Sequence, residues 1–177
     1  RQMCIRDRGR PVAGRPGTPL SSAAVDELTE LRRLLEASSD RDNPSAEALV
    51  ELLGNVRHIA VVGLSRHSEK PARRVPSYLA AKGFDVIPVN PNADRLLGRT
   101  SYPTLSDVPG PVDLVLLFRP SSEAGPFVLE AMERPDEPAV WLQTGIVAPE
   151  EAATARAAGR TVVQDLCIFR VHRVLTE

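Results

Sequence analysis

The chain has 177 residues, of which 42% are hydrophobic and 25% are charged, and its formal net charge is −1 at pH 7. This length suffices for one domain with its own core, since domains commonly hold about 100–150 residues. The charge is uneven, because residues 1–20 hold five arginines and one aspartate and leave 17 basic and 22 acidic residues to the remainder. An acidic body of this kind argues against a nucleic-acid-binding surface.

Three further classes of protein are excluded by simple patterns. No apolar run approaches the roughly 20 residues of a membrane span, so we expect no membrane insertion. Cys4 and Cys167 are too few for a disulfide framework, which favours a reducing cytoplasm. His58 and His67 have no Cys, Asp or Glu partner at ligand spacing, so we expect no metal site.

The first 42 residues divide into two segments. Residues 1–20 are rich in Arg, Gly and Pro, and we predict a disordered or non-native basic tail. Residues 21–42 are predicted to form an amphipathic helix and a linker, because five apolar residues recur at helical spacing over 23–37. The apolar stripe of this helix could face the following domain or a second subunit, so a homodimer stays open.

Residues 43–177 are predicted to form the main domain. Asn43 resembles an N-cap with Pro44 at the first helical position, opening a short helix that leads into a strand. Strands and helices of about ten residues then alternate. We place the strands at residues 59–62, 84–89, 112–118, 139–143 and 161–164.

This alternation predicts the fold class. Strands separated by helices form parallel pairs, and apolar runs on both strand faces indicate burial between two helical layers. We therefore expect an α/β fold: a doubly wound, mainly parallel five-stranded Rossmann-like sheet with helices on both faces, preceded by the N-terminal amphipathic helix.

Ligands of such sheets bind outside the carboxyl ends of the strands. Gly63 and Ser65 follow the first strand, where turn amides and the start of the next helix offer a seat for phosphate. Polar residues, glycines and prolines also follow the other strands. Several cations accompany this edge: Arg66, Lys70, Arg73, Arg74 and Arg119.

A nicotinamide dinucleotide is the first ligand to test against the sequence. Its fingerprint G-x-G-x-x-G is missing, because residues 63–68 contain only one glycine. The acid that would hold the ribose hydroxyls after the second strand is also missing, since no carboxylate occurs there before Asp94. The residues alone therefore indicate a phosphate seat with cations around it.

Seven motifs in this order and spacing resemble a known family. They are IAVVGLS, the basic stretch with Lys70 and Arg73, GFDVIPVNP, LLGRTSYPTLSDV, VDLVLLFRP, WLQTGI and VVQDLC. The set resembles the stand-alone CoA-binding domain family, which is similar to the CoA-binding N-terminal domain of the succinyl-CoA synthetase α-subunit. The resemblance covers residues 44–175.

The resemblance implies a fold, a ligand and its contacts. It implies a Rossmann-type fold that binds coenzyme A. Gly63 and Ser65 would contact the diphosphate, and Lys70 and Arg73 would neutralise phosphates. The adenosine would lie between Val89, Asn90, Pro91 on one side and Phe118, Arg119, Pro120 on the other, while Gln143 and Gly145 would face the pantetheine arm. The sequence departs from the family where Leu166 replaces an arginine and Val171 a glutamate.

The expected function is binding of coenzyme A or acyl-CoA by a non-catalytic binding or regulatory protein. No Ser-His-Asp order and no paired carboxylates stand out. The alternatives are a CoA-dependent transferase or ligase-related enzyme and an NAD(P)-dependent oxidoreductase. Cys167 follows the last strand, so we predict a redox thiol that forms a mixed disulfide with coenzyme A; its alternative is a buried, inert cysteine.

Overall fold

A computed structural model of the protein describes residues 22–176, so the predicted tail at residues 1–20 lies outside the described residues. The helices are α1 Ser22–Glu36, α2 Ala46–Asn55, α3 Pro71–Ala81, α4 Ser121–Met132, α5 Pro149–Ala157 and α6 Ile168–Val174. The strands are β1 His58–Val62, β2 Asp85–Val89, β3 Arg95–Leu96, β4 Arg99–Thr100, β5 Leu114–Leu117, β6 Ala139–Leu142 and β7 Val162–Val163. No helix within 22–176 is long and apolar enough to cross a membrane.

Five strands form one sheet in the order β2-β1-β5-β6-β7, and every pair in it is parallel. The chain builds outward from β1 to β2 and then crosses over to β5 on the other side of β1. The winding direction therefore changes between β1 and β5, which is the place where doubly wound sheets open a ligand crevice. The predicted fold class is confirmed.

The sheet separates two apolar clusters. In β1, Ile59 and Val61 face a cluster built with α1, α2, α3 and α6, whereas Ala60 and Val62 face a cluster built with α4 and α5. Successive strand residues point to opposite faces, so burial of both faces requires the uninterrupted apolar runs seen in the sequence. Trp141 in β6 is fully buried and donates its indole N–H to the Leu166 carbonyl at 2.7 Å.

Helix α1 packs on the domain that follows it. Leu31 and Leu34 are buried in the first cluster, and α1 contacts α2 and α6. The apolar stripe of α1 is therefore covered by the same chain, although Val25 remains 48% exposed.

The start of α2 differs from the prediction, because Ser45 and not Asn43 caps the helix. The Ser45 hydroxyl accepts a hydrogen bond from the Ala48 amide at 3.2 Å. Asn43 instead pairs with the backbone after β7: its Nδ2 donates to the Gln164 carbonyl at 2.8 Å, and its Oδ1 accepts from the Gln164 amide at 2.7 Å. Two backbone partners far along the chain thus outweigh the local capping preference.

A short antiparallel pair, β3 with β4, lies between β2 and β5, where the sequence predicted no strand. Leu97 and Gly98 form its turn, both with positive φ angles of 52° and 71°. Each strand is only two residues long, so the pair leaves no hydrophobic alternation from which a strand could be predicted.

Candidate functional site

A cleft of about 460 Å³ opens at the carboxyl ends of β1, β2 and β5. Three segments form it: the β1–α3 loop (residues 63–70), the exit of β2 (residues 90–92) and the exit of β5 (residues 118–119). Its lining residues are Val62, Gly63, Leu64, Ser65, Arg66, His67, Lys70, Ala72, Val89, Asn90, Pro91, Asn92, Pro103, Phe118, Arg119 and Phe127.

The cleft brings together eight of the twelve residues predicted to contact a ligand. They are Gly63, Ser65, Lys70, Val89, Asn90, Pro91, Phe118 and Arg119. The other four, Arg73, Pro120, Gln143 and Gly145, do not line it. Arg73 lies in α3, Pro120 directly precedes α4, and the other two follow β6.

Gly63 sets the spacing between two strand exits. Its φ angle is +83°, and a Cβ atom there would lie 3.0 Å from Arg119 Cδ and 3.3 Å from the Phe118 carbonyl carbon. Its amide already donates to the Val89 carbonyl at 3.2 Å. The glycine therefore allows the exit of β5 to approach β1, and its own N–H is used within the protein.

Ser65 is held by a carbonyl that a proline leaves open. Pro76 lies inside α3 and has no N–H, so the Ala72 carbonyl four residues earlier lacks its helical donor. The Ser65 amide donates to that carbonyl at 3.1 Å. The Ser65 hydroxyl oxygen accepts from the His67 amide at 3.1 Å, which leaves its hydrogen to donate to an anion.

Asn90 joins the exits of β1 and β2. Its Nδ2 donates to the Leu64 carbonyl at 3.0 Å, and its Oδ1 accepts from the Asn92 amide at 2.9 Å. These bonds use the side chain for turn chemistry that Asn commonly supplies. Asn90 therefore shapes the cleft wall, and the next residue, Pro91, is exposed on it.

The permanent cations of the cleft differ in their partners. Arg119 forms an ion pair with Glu123 in the first turn of α4, and its buried Nε has no hydrogen-bond partner among the residues that the structure describes. Within residues 22–176, Arg66 and Lys70 have no ion pair; the Arg66 Nη2 donates to the neutral carbonyl of Asn92. The β1–α3 loop also carries Glu69, whose carboxylate lies 3.7 Å from His67 Nδ1, and among the described residues neither permanent cation of the loop is ion-paired with it.

Two helices begin beside the cleft with no side-chain cap. Lys70 precedes α3, Pro120 precedes α4, and neither supplies a capping hydrogen bond. The first turn of a helix carries unsatisfied N–H groups and a partial positive charge. At α4 the Glu123 carboxylate already lies in the first turn, and the Glu123 amide donates to the Pro120 carbonyl at 2.8 Å. At α3, Pro71 has no N–H and the Arg73 amide donates to the Lys70 carbonyl at 2.9 Å, so this end favours an anion mainly through its partial positive charge.

The exits of β6 and β7 form a separate polar corner. The Asp165 carboxylate accepts from the Gly145 amide at 2.6 Å and from the Ser39 amide and hydroxyl at 2.9 and 2.7 Å. Burial favours the neutral acid, but these hydrogen bonds outweigh it and hold the pKa of Asp165 below its ordinary value. The Gln143 Nε2 is buried there and has no partner among the described residues.

The end of the chain is apolar where the family pattern is charged. Leu166 and Val171 are buried in the first cluster, so an arginine or glutamate at these positions would have to be accommodated inside a core. Cys167, between them, is a half-buried free thiol that directly precedes α6 and does not line the cleft.

Eight of the sixteen residues that line the cleft were not predicted as ligand contacts from the sequence, and Arg66 and Phe127 are two of them. Arg66 was recognised only as a nearby cation, and Phe127 of α4 reaches the cleft from the second apolar cluster. The basic composition of the β1–α3 loop was the signal for Arg66, but its position against Asn92 depends on tertiary structure. No group of His, Cys, Asp and Glu suited to a metal ion occurs within 22–176.

The fold and the cleft define the class: a Rossmann-like α/β domain with a cationic cleft at the carboxyl edge of its sheet. Residues 57–173 match the family described as the CoA binding domain. This chain belongs to that family, and the resemblance found in the sequence is confirmed.

Known proteins similar to this chain include one short and one long relative. Uncharacterized protein YneT of Bacillus subtilis is 39% identical over 132 residues, covering 75% of this chain and 97% of YneT. The ADP-forming acetate–CoA ligase II of Archaeoglobus fulgidus is 32% identical over 91 residues, covering 50% of this chain but 14% of the ligase. A solved hypothetical protein from Pyrococcus horikoshii is 33% identical with a TM-score of 0.72, covering 78% of this chain and 97% of that one.

Proposed function

We propose that the protein binds coenzyme A or acyl-CoA in the cleft, as a non-catalytic binding or regulatory protein. The observation that carries this proposal is that Arg66 and Lys70, neither of them ion-paired within residues 22–176, line one cleft beside the start of α3. Coenzyme A combines a diphosphate with a ribose 3′-phosphate, so it needs several donors and cations in one place. Membership of the CoA-binding domain family supports the same ligand.

The geometry suggests which wall of the cleft each part of the ligand would contact. The diphosphate would lie against the Ser65 hydroxyl, Lys70 and the first turn of α3, with Arg73 adding charge from that helix. The adenosine would lie between Val89 and Pro91 on one side and Phe118 on the other. Gly63 and Asn90 would act by shaping the cleft, since their polar groups already have partners.

The remaining predicted contacts would meet the rest of the molecule. Arg119 and Pro120 lie at the β5 exit, where they would border the ligand. Gln143 and Gly145 follow β6 and would face the pantetheine arm; the unpartnered Gln143 Nε2 could donate to one of its amide carbonyls. An arm that leaves the cleft toward this corner would bring an acceptor to this donor.

Binding without catalysis is favoured by the groups at the cleft. The Ser65 oxygen accepts from the His67 backbone amide and has no hydrogen bond to an imidazole ring, so no activated nucleophile is formed there. A ligase-related activity is the alternative, because the family region also occurs in the acetate–CoA ligase of Archaeoglobus fulgidus. The match covers only 14% of that ligase, so such an activity would need other parts.

A thermal-shift panel tests the proposal. Ligand at a hundred times its dissociation constant adds about 2.7 kcal/mol to the free energy of unfolding. We expect coenzyme A to raise the melting temperature, and NAD or NADP to leave it unchanged. A shift with NAD(P) and none with coenzyme A would reassign the protein to the oxidoreductases.

The redox thiol remains a prediction that depends on this ligand. We expect the Cys167 thiolate to attack a sulfur of CoA disulfide, forming a protein–CoA disulfide and releasing one CoA thiol. Intact-mass spectrometry after incubation with CoA disulfide, with Cys4→Ser in every sample so that Cys167 is the remaining thiol, should show one added CoA. The same added mass in Cys167→Ser, or none in the parent protein, would show that the idea is wrong.

A further inference from the structure

Arg66 places a guanidinium at the exit of β2. It belongs to the β1–α3 loop, but its Nη2 donates to the main-chain carbonyl of Asn92, three residues after β2 ends. Both residues line the cleft. A second bond, from Asn90 Nδ2 to the Leu64 carbonyl, holds the same loop against the same strand exit.

The exit of β2 has a known role in doubly wound sheets. The diphosphate of a bound nucleotide lies at the start of the helix after β1, and the ribose lies at the end of β2. In dinucleotide-binding sheets an acid at that end holds the ribose 2′-hydroxyl of NAD, whereas a nearby arginine accommodates the 2′-phosphate of NADP, so an arginine at this place can receive a phosphate carried by a ribose. Here residues 90–92 contain no carboxylate, and the Arg66 guanidinium lies beside them.

The other two permanent cations that line the cleft are less suited to this position. Lys70 directly precedes α3, where the diphosphate would lie. Arg119 is at the exit of β5, and its charge is already balanced by Glu123. The Arg66 partner is an uncharged carbonyl, so its full positive charge and its remaining N–H groups are available to an anion.

We propose that Arg66 binds the ribose 3′-phosphate and is the residue by which this protein distinguishes coenzyme A from dephospho-CoA. The inference rests on the proposed function and adds to it the group that selects the phosphorylated ribose. On binding, the guanidinium exchanges a neutral carbonyl for a doubly charged phosphate, which is the stronger acceptor.

Calorimetric titration of the parent, Arg66→Ala and Arg74→Ala with coenzyme A and with dephospho-CoA tests the proposal. Arg74 is a matched control, because it is an exposed cation of α3 that does not line the cleft. The parent should bind coenzyme A more tightly than dephospho-CoA. Arg66→Ala should weaken coenzyme A about tenfold or more and dephospho-CoA less than about twofold, while Arg74→Ala should keep the parent ratio.

Arg66→Lys should recover only part of the selectivity, since an ammonium keeps the charge but loses the planar fork. The ratio of the two affinities is measured on one protein sample, so a partly unfolded variant does not distort it. Equal losses for both ligands, no loss for either, or a parent that does not distinguish them would each overturn the role of Arg66. A parent that binds neither ligand would refute the proposed function itself.

Discussion

The missing side chain of Gly63 controls how closely the exits of β1 and β5 approach each other. The backbone has a positive φ angle, which residues other than glycine adopt at an energetic cost, and the space that a Cβ would need is occupied by Arg119 and Phe118. Both restrictions lie at the wall of the cleft. A substitution here should therefore affect stability and ligand binding together.

We predict that Gly63→Ala destabilises the protein by about 2–4 kcal/mol. About 1–2 kcal/mol arises from the left-handed backbone and the remainder from overpacking against Arg119. Gly159→Ala is the control, because its φ angle is +81° but no atom of the described part of the chain lies within 4 Å of its added Cβ. In urea unfolding, the control should lose only the part of the free energy of unfolding that the left-handed backbone accounts for. An equal loss of stability in both variants would contradict the packing argument.

The sequence predicted the location of these residues better than their bonding. An apolar strand followed by glycine, serine and basic residues indicates an anion site, and these residues do line one cleft. The amides of Gly63 and Ser65, however, donate to Val89 and Ala72. Such partners depend on how β2 and α3 pack beside the loop, which no local pattern specifies.

At the scale of elements, the linker between α1 and α2 covers the edge of the sheet beyond β7. Asn43 and Ser38 both donate to the Gln164 carbonyl, and Asp40 accepts from Gln164 Nε2 and from Arg156 at 2.8 and 2.7 Å. Burial opposes ionisation of Asp40, but these donors lower its pKa below the ordinary value. A sheet edge with unpaired backbone groups is a site of aggregation, and here side chains occupy it.

We predict that Asn43→Ala lowers the free energy of unfolding by about 1–3 kcal/mol, since it leaves the buried N–H of Gln164 without its partner, while the Gln164 carbonyl keeps the bond from the Ser38 hydroxyl. Asn55→Ala removes a single exposed bond to the Glu51 carbonyl and should change stability by less than about 0.5 kcal/mol. Chemical unfolding of both variants provides the comparison. An equal loss of stability in Asn55→Ala and Asn43→Ala would show that the loss does not arise from the bonds between the linker and Gln164.

The elements that could be predicted are those whose signal is local. The five strands of the sheet follow from apolar runs because burial on both faces requires them. Asn43 was misassigned because Asn before Pro is a strong capping pattern, whereas its actual partner lies 121 residues further along the chain. The β3 and β4 pair was missed because two-residue strands carry no periodicity.

For the whole molecule, two sets of titrating groups determine stability in acid. Burial lowers the pKa of His172, with a further contribution from Lys82, so the folded protein favours the neutral ring, whose Nδ1 is hydrogen-bonded to the Tyr78 hydroxyl at 2.9 Å. Asp113 and Asp136 have pKa values below 3.8, because hydrogen bonds to their carboxylates outweigh the opposing effect of burial.

We predict a two-stage loss of stability as the pH falls. His172 has a lower pKa folded than unfolded, so its contribution is lost as the pH falls below about 6.5 towards the folded value. The four aspartates also have lower pKa values folded than unfolded, so their contribution to stability is lost as the pH falls below about 3.8. Urea unfolding at intervals from pH 8 to pH 3 should show both stages.

His172→Gln separates the two stages, because a carboxamide can accept the Tyr78 hydroxyl but does not titrate. This variant should lose the decline that starts near pH 6.5 and keep the one below about 3.8. A variant that still shows the first decline would assign it to another group.

Pro76 also affects how the β1–α3 loop is held against α3. Because proline has no N–H, the Ala72 carbonyl receives no helical hydrogen bond from position 76, and it accepts the bond from the Ser65 amide instead. Pro76→Ala would supply an N–H that competes with Ser65 for the Ala72 carbonyl. Helix α3 would become more regular, and the β1–α3 loop would lose a backbone hydrogen bond that fixes its position. Greater stability and weaker ligand capture would then arise from the same substitution.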